Sequence, residues 1–213
     1  MAGSDMPQGE GRKEAIVMSG PNGEDDKRFA LKHRLTVADF HKMGDAGIFH
    51  EDARVELIEG ELFDMPPIGS GHAGTVMIFI HLLARAVGDL AIVGAQTPIV
   101  LGEESEPQPD IVLLKPRDDF YTRSHPMPED VLLLIEVADS STYYDRSIKI
   151  PLYAHHGVPE AWLIDLPHKR LELYRHPMPE HKTYQHVEPY HEGTVSPQLL
   201  PNVTIRVADL FRG

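Results

Sequence analysis

The chain has 213 residues, 41% of them hydrophobic, which is enough for one ordinary domain with a real core. It contains no cysteine, which excludes disulfides and thiolate metal sites, and no apolar run of about 18 residues, so we expect a cytoplasmic protein without a membrane span. The formal net charge of −13 excludes a surface coated in phosphate-binding lysine and arginine, although a local basic groove can still lie on an acidic protein.

The N-terminal segment differs in pattern from the rest of the chain. Residues 1–32 show no sustained hydrophobic periodicity and are predicted to form a mobile tail, with one domain over residues 33–213. Helices are predicted where apolar residues recur at helical spacing after a capping residue. They cover Val37–Met43 after Thr36, about His72 to Val87, and a segment from Ser140 or Ser141 to about His155 that Gly157 ends.

Strands are predicted where β-branched and large apolar residues run between Gly, Pro and Asp turns. They cover Val55–Leu62 with a turn at Gly60, Leu90–Val93, Pro98–Leu101, Ile111–Leu114, Val131–Val137, Ala161–Asp165, Leu171–Tyr174 and Thr204–Val207. Val131–Val137 is apolar on both faces, which is typical of a central strand covered on both sides. The segment after Arg175 is rich in Pro and His and is predicted to form loops. The pattern predicts an α/β fold with a mixed central sheet flanked by helices.

Two carboxylates stand at the ends of buried strands. Glu136 follows a run of apolar residues, and a carboxylate there must be paired, protonated or metal-bound, because an isolated buried charge is very costly. Asp110 directly precedes the strand Ile111–Leu114. Carboxylates at adjacent strand ends form the oxygen-rich kind of site that Mg²⁺ prefers, so we expect both to reach one ion. The alternatives are a turn role for Asp110 and a structural salt bridge for Glu136.

One face of the helix that follows Glu136 carries a candidate lysine. Asp145, Lys149 and Tyr153 are spaced four residues apart and share that face. If the face turns toward the sheet, the Lys149 ammonium can reach Glu136, orient an attacking water and stabilise charge on a phosphate. A catalytic Lys149 is then expected to be replaceable by alanine with little change in stability. The alternative is a solvent-exposed ion pair between Asp145 and Lys149.

Several short motifs follow one another along the chain: Glu56-Leu-Ile-Glu-Gly-Glu-Leu62, His72, Gln108-Pro-Asp-Ile-Val112, Glu136-Val137, Asp145, Lys149, Tyr153, and Gly157-Val-Pro-Glu-Ala-Trp-Leu-Ile-Asp165. Together they resemble the Uma-two family of bacterial restriction-endonuclease-like proteins. The resemblance covers about residues 33–211, and residues 136–165 are its most specific part.

The resemblance implies a PD-(D/E)XK fold, in which Asp110 belongs to the first motif element and Glu136 starts the second. Ala138 stands where the superfamily's usual lysine would be, and Lys149 on the next helix would replace that lysine. Glu56 matches an acidic residue that many members supply ahead of the core motif. The implied site holds Mg²⁺ or Mn²⁺ on Asp110, Glu136 and the carbonyl of Val137, with Glu56 and Lys149 completing the catalytic set.

The implied activity is hydrolysis of DNA phosphodiester bonds to 5′-phosphate and 3′-hydroxyl products, and a homodimer is a possible assembly. Two other classes of function stay open. One is a non-catalytic module of nuclease fold that binds nucleic acid or a protein, which the acidic net charge favours slightly. The other is a metal hydrolase acting on small molecules. His72 could contact phosphate or have a capping role, and the late histidines lack the spacing of a zinc site.

Overall fold

The computed structural model describes residues 13–16 and 30–211. Within the predicted tail it contains a two-stranded antiparallel ladder of β1 (Lys13–Ile16) and β2 (Ala30–His33). The rest of that tail lies outside the described residues, so its mobility and its boundary with the domain stay predictions. The chain divides into two units, which are described separately: Met1–Asp64 with Glu103–Ser105, and Met65–Gly102 with Glu106–Gly213.

The first unit contains a capped helix and a tight hairpin. Helix α1 (Val37–Asp45) begins after Thr36, whose Oγ1 accepts the amide of Asp39 at 3.1 Å, while the Asp39 carboxylate accepts the Thr36 amide at 3.2 Å. This reciprocal capping box confirms the predicted helix start. Strands β3 (Val55–Ile58) and β4 (Glu61–Asp64) pair antiparallel, and Gly60 supplies the positive φ of their turn, as predicted.

The second unit is built on a six-stranded mixed sheet in the order β10-β9-β8-β7-β6-β5. The strands are β5 (Ile92–Ala95), β6 (Ile111–Leu114), β7 (Val131–Ala138), β8 (Glu160–Asp165), β9 (Arg170–Met178) and β10 (Thr183–Tyr190). Only the β7–β8 pair is parallel. All eight residues of β7 are buried, which confirms its predicted central position. The α/β fold class with a mixed central sheet is therefore confirmed.

Helix α2 (Ser70–Val87) packs on one face of this sheet. Its residues Phe79, Leu83 and Val87 share one core with alternate residues of β7, among them Ile135. By length and composition alone, the stretch Ser70–Leu90 is apolar enough to cross a membrane, but the buried stripe on α2 packs against the sheet as in a core helix. Two short strands, β11 (Thr194–Val195) and β12 (Ile205–Arg206), add Val195 and Ile205 to the same core.

The helical stretch after β7 runs over residues 142–155 in three parts. These are α3 (Thr142–Tyr144), a five-residue π turn (Asp145–Lys149) and α4 (Ile150–His155). Gly157, with a φ of 72°, follows its end, as predicted.

One strand prediction and one loop prediction are wrong. Pro98–Leu101 is not a strand, because the amide of Ile99 donates to Pro107 and that of Val100 to Pro126, each at 3.0 Å, so its amides enter no single ladder. The segment after Arg175 is not loop throughout, because β9 continues to Met178 and β10 pairs along it. On this edge strand only Tyr184 is buried, so the sequence lacks the apolar alternation that would have predicted it.

Candidate functional site

The two predicted carboxylates lie at the same end of the β6–β7 ladder. In this antiparallel ladder, Ile111 lies opposite Ile135. Asp110 directly precedes Ile111 and Glu136 directly follows Ile135, so their backbones lie at one end of the sheet although they are distant in sequence.

The Asp110 carboxylate is held through a single oxygen. Its Oδ2 accepts the backbone amide of Val137 at 2.8 Å and lies 2.9 Å from Nε2 of His72. The side chain is 11% exposed. Among the residues that the structure describes, none donates a hydrogen bond to Oδ1. One anionic oxygen at this nearly buried position thus remains available to a cation.

Glu136 projects from the face of β7 opposite to the one that packs against α2. Its neighbours Ile135 and Val137 belong to the core beneath α2, and successive side chains of a strand alternate between faces. Oε1 of Glu136 accepts a hydrogen bond from the hydroxyl of Tyr153 and lies 3.1 Å from Nζ of Lys149. The side chains of Glu136 and Lys149 are 3% and 2% exposed, so this is a buried ion pair.

Lys149, which reaches Glu136, is the last residue of a π turn. The amide of Ile150 bonds to the carbonyl of Asp145, five residues back, and such turns within α-helices are frequent at functional sites. The Asp145 carboxylate accepts the hydroxyl of Ser141 at 2.6 Å. Asp145 and Lys149 are both buried, so the alternative of a solvent-exposed ion pair is wrong.

The structure thus brings Glu136 together with Lys149, and Asp110 together with Val137. Val137 contacts Asp110 through its N–H, while metal binding by its carbonyl stays a prediction. Glu56 is buried on β3, opposite Phe63, in the other unit, and its role also stays a prediction.

Two residues at the site were not in the predicted catalytic set. Tyr153 was predicted on the same helix face as Lys149, but without a role. His72 was predicted to contact phosphate or to have a capping role, and its contact with Asp110 was not predicted, since it depends on how a different helix packs in the fold.

A second ionic cluster lies at the end of β8. Asp165, which pairs with Ala138 of β7, accepts Nη2 of Arg146 at 3.2 Å and Nη2 of Arg170 at 3.0 Å, and lies 2.7 Å from Nδ1 of His168. Burial acts to raise the pKa of Asp165, but the hydrogen bonds from His168 and Arg146 outweigh it and leave that pKa below its usual value. Because Arg146 belongs to the π turn, this cluster fixes the segment that carries Lys149.

The ligand atoms present are of the kind that a hard divalent cation takes. Asp110 and Glu136 supply carboxylate oxygens from the ends of adjacent strands, and Asp110 Oδ1 takes no hydrogen bond from the described residues. Mg²⁺ and Mn²⁺ prefer oxygen ligands of this kind, and the sequence has no thiolate to offer a softer ion.

Comparisons with known proteins agree with this fold. A family model described as "Uma2: Putative restriction endonuclease" matches residues 37–208. Four chains of solved structures also match, among them "a putative nuclease belonging to DUF820" from Anabaena variabilis. That chain is 19% identical, with a TM-score of 0.63 over 83% of this chain and 97% of its own length, so the likeness is one of fold. No curated protein matches.

Proposed function

The chain belongs to the Uma2 family of restriction-endonuclease-like proteins, and on that premise we propose that it is a Mg²⁺-dependent nuclease cleaving phosphodiester bonds of DNA. The observation that carries the proposal is the buried contact between Glu136 and Lys149, together with an Asp110 carboxylate that has one oxygen outside any hydrogen bond of the described residues. Carboxylates that hold a divalent ion can supply metal-assisted hydrolysis of a phosphodiester.

Asp110, Glu136 and the carbonyl of Val137 are the proposed ligands of Mg²⁺ or Mn²⁺. A divalent ion bound there would neutralise charge on the phosphate and provide a water of lowered pKa. Asp110 is suited to this role because Val137 and His72 hold its other oxygen, so its orientation is fixed before any ion arrives.

Lys149 is the proposed group that orients the attacking water. Its ammonium is compact and carries three N–H donors, and Glu136 anchors it at 3.1 Å. From this position it can donate to a water and stabilise the negative charge that develops on the pentacovalent phosphate. Such stabilisation is stronger in surroundings that exclude water, as for a side chain only 2% exposed. Glu56 is the proposed proton relay or ligand of a second ion.

A groove in the second unit is the proposed entry for a nucleic-acid substrate. It has a volume of about 810 Å³, including its open mouth, and lies between the start of α2 and the β8–β9 turn. Gly71, Asp139, Leu166, Lys169 and Phe211 are among its lining residues. We propose DNA as the substrate, a cytoplasmic location and the two products named above, with a homodimer as the assembly to test.

Plasmid cleavage in the presence of Mg²⁺ or Mn²⁺, with EDTA as the metal-free control, tests the proposal. Asp110→Asn and Glu136→Gln should each lower the cleavage rate by about 100-fold or more, because loss of metal-assisted charge stabilisation costs several kcal/mol. Asp89→Asn, at an exposed position after α2, is the matched control and should cleave as the wild type does. Unchanged cleavage in both site variants would refute the assignment.

A non-catalytic nuclease-fold module is the second candidate, favoured by the net charge of −13. Calorimetric titration with Mn²⁺ separates the two. A wild-type protein that neither binds Mn²⁺ nor cleaves DNA would support the module and contradict the nuclease.

A further inference from the structure

His72 lies in the first turn of α2 and reaches the candidate metal site from a different element than the other residues. Its Nε2 is 2.9 Å from Oδ2 of Asp110. The two side chains are 15% and 11% exposed, so bulk water competes little for this hydrogen bond. The contact joins a helix on one face of the sheet to a carboxylate at the sheet's end.

The second donor to the same oxygen is the backbone amide of Val137, at 2.8 Å. Two donors from different elements converge on Oδ2 and leave Oδ1 without a hydrogen bond from any described residue. A carboxylate held in this way cannot rotate without breaking both contacts. The orientation of the carboxylate, and with it the position of Oδ1, is therefore fixed.

The other ring nitrogen shows which role His72 can have. Nδ1 is buried, and none of the residues that the structure describes is its hydrogen-bond partner. A histidine that binds a metal through Nε2 nearly always donates its Nδ1–H to an acceptor. No described residue supplies such an acceptor to His72. The arrangement fits a ring that donates Nε2–H to Asp110.

We propose that His72 is a positioning residue that orients Asp110 for metal binding and does not itself bind the metal. The inference rests on the proposed function, because it assigns Asp110 as a metal ligand. It predicts that the N–H at the position of Nε2 matters, and that the rest of the imidazole ring does not. Partners of this kind typically change metal affinity by about 10–100-fold when they are removed.

Calorimetric titration of Mn²⁺ into the full chain tests this. His72→Leu keeps the bulk but removes the donor, and should raise the Mn²⁺ Kd by about 10–100-fold. His72→Gln places an amide N–H near the same point and should restore the Kd to within about threefold of wild type. His81→Leu, at an exposed position on the same helix, is the matched control and should leave the Kd unchanged.

An unchanged Kd in His72→Leu would overturn the proposal, and so would a His72→Gln Kd as high as that of His72→Leu, which would indicate a direct ligand. A wild-type protein that binds no Mn²⁺ would contradict the proposed function, whereas wild-type binding that His72→Leu leaves unchanged would contradict only the positioning role. A second measurement tests the proposal even if His72→Leu does not fold. Two-bond ¹H–¹⁵N correlation spectra of the metal-free wild-type protein should show the His72 ring proton on Nε2, and a proton on Nδ1 would contradict the assignment.

Discussion

A Lys149→Met substitution removes the ammonium that lies 3.1 Å from Glu136 Oε1 and keeps a side chain of similar length. The Glu136 carboxylate, 3% exposed, would lose its cationic partner inside the protein. Breaking a buried ion pair from one side costs about 3–5 kcal/mol, because the remaining charge stays desolvated. That is a large part of the roughly 5–15 kcal/mol by which most domains are stable. It replaces the expectation that a catalytic Lys149 could be changed to alanine with stability nearly unchanged, because the lysine is paired with a buried carboxylate.

Urea unfolding at pH 7, followed by circular dichroism, measures the effect. Glu136→Gln removes the opposite charge, so the double variant has no unpaired charge left. Its loss of unfolding free energy should be smaller than the sum of the two single-variant losses by about 1–3 kcal/mol, the usual coupling energy of side chains in contact. Lys115→Met, at an exposed position, is the control and should change the unfolding free energy by less than about 0.5 kcal/mol.

Two results would refute the reasoning. One is a Lys149→Met protein within about 0.5 kcal/mol of wild type, which is the range of surface substitutions. The other is a double variant whose loss equals the sum of the single losses. Lys149→Arg tests the chemistry, because a guanidinium keeps the charge but cannot place a compact ammonium at the same point, so metal-dependent cleavage should fall. Full activity in both Lys149→Ala and Lys149→Arg would show that Lys149 has no part in catalysis.

Three further predictions concern stability. Gly60→Ala should lower the unfolding free energy by at least about 1–2 kcal/mol in urea titrations, because a side chain there must adopt a φ of +77° and its Cβ would lie 2.6 Å from Cβ of Arg34. Gly44→Ala, in helix α1 with no atom within 4 Å of the new Cβ, should be neutral or stabilising, and an equal loss at both glycines would contradict the strain argument. Asp165 has a lowered pKa in the folded state, so its ionised form stabilises the protein above the unfolded-state pKa of about 3.9, and this contribution is lost as the pH falls through the lower folded pKa. The Tm difference between wild type and Asp165→Asn should therefore be full at pH 7 and shrink below about pH 4, and a pH-independent difference would show that the charge is not its cause. Leu83→Ala, in the core at 0% exposure, should cost about 2–5 kcal/mol, whereas Leu90→Ala, 57% exposed, should change stability by less than about 0.5 kcal/mol.

The central sheet could be predicted largely from the sequence, because its inner strands carry their own signal. Val131–Val137 is apolar at almost every position, and only a strand covered on both faces is built that way. The same pattern made Glu136 conspicuous, since a carboxylate in such a run needs a partner. Strand β10 could not be predicted, because an edge strand exposes most of its side chains and pairs mainly through its backbone.

The site was predictable only in part, for a different physical reason. Spacing along one helix identified Lys149 and Tyr153 as neighbours. It could not show that their partner is a buried carboxylate, because that depends on how the helix packs on β7. The contact of His72 with Asp110 depends on the relative position of a helix and a strand, which no local pattern encodes.

The helix that carries Lys149 explains how a lysine outside β7 can contact Glu136. Ala138 lies two residues after Glu136, so both side chains point to the same face of β7, and Ala138 is fully buried. A methyl group there leaves the space beside Glu136 to a side chain arriving from the following helix. The π turn adds one residue to a helical turn, which shifts the residues after it by about 100° around the axis relative to those before it. Asp145, at its start, bonds to Ser141, while Lys149 and Tyr153, at its end and beyond, both reach Oε1 of Glu136. The proposed chemistry needs an ammonium within hydrogen-bonding distance of the acidic strand residue, and here the ammonium comes from the helix, 3.1 Å from Glu136.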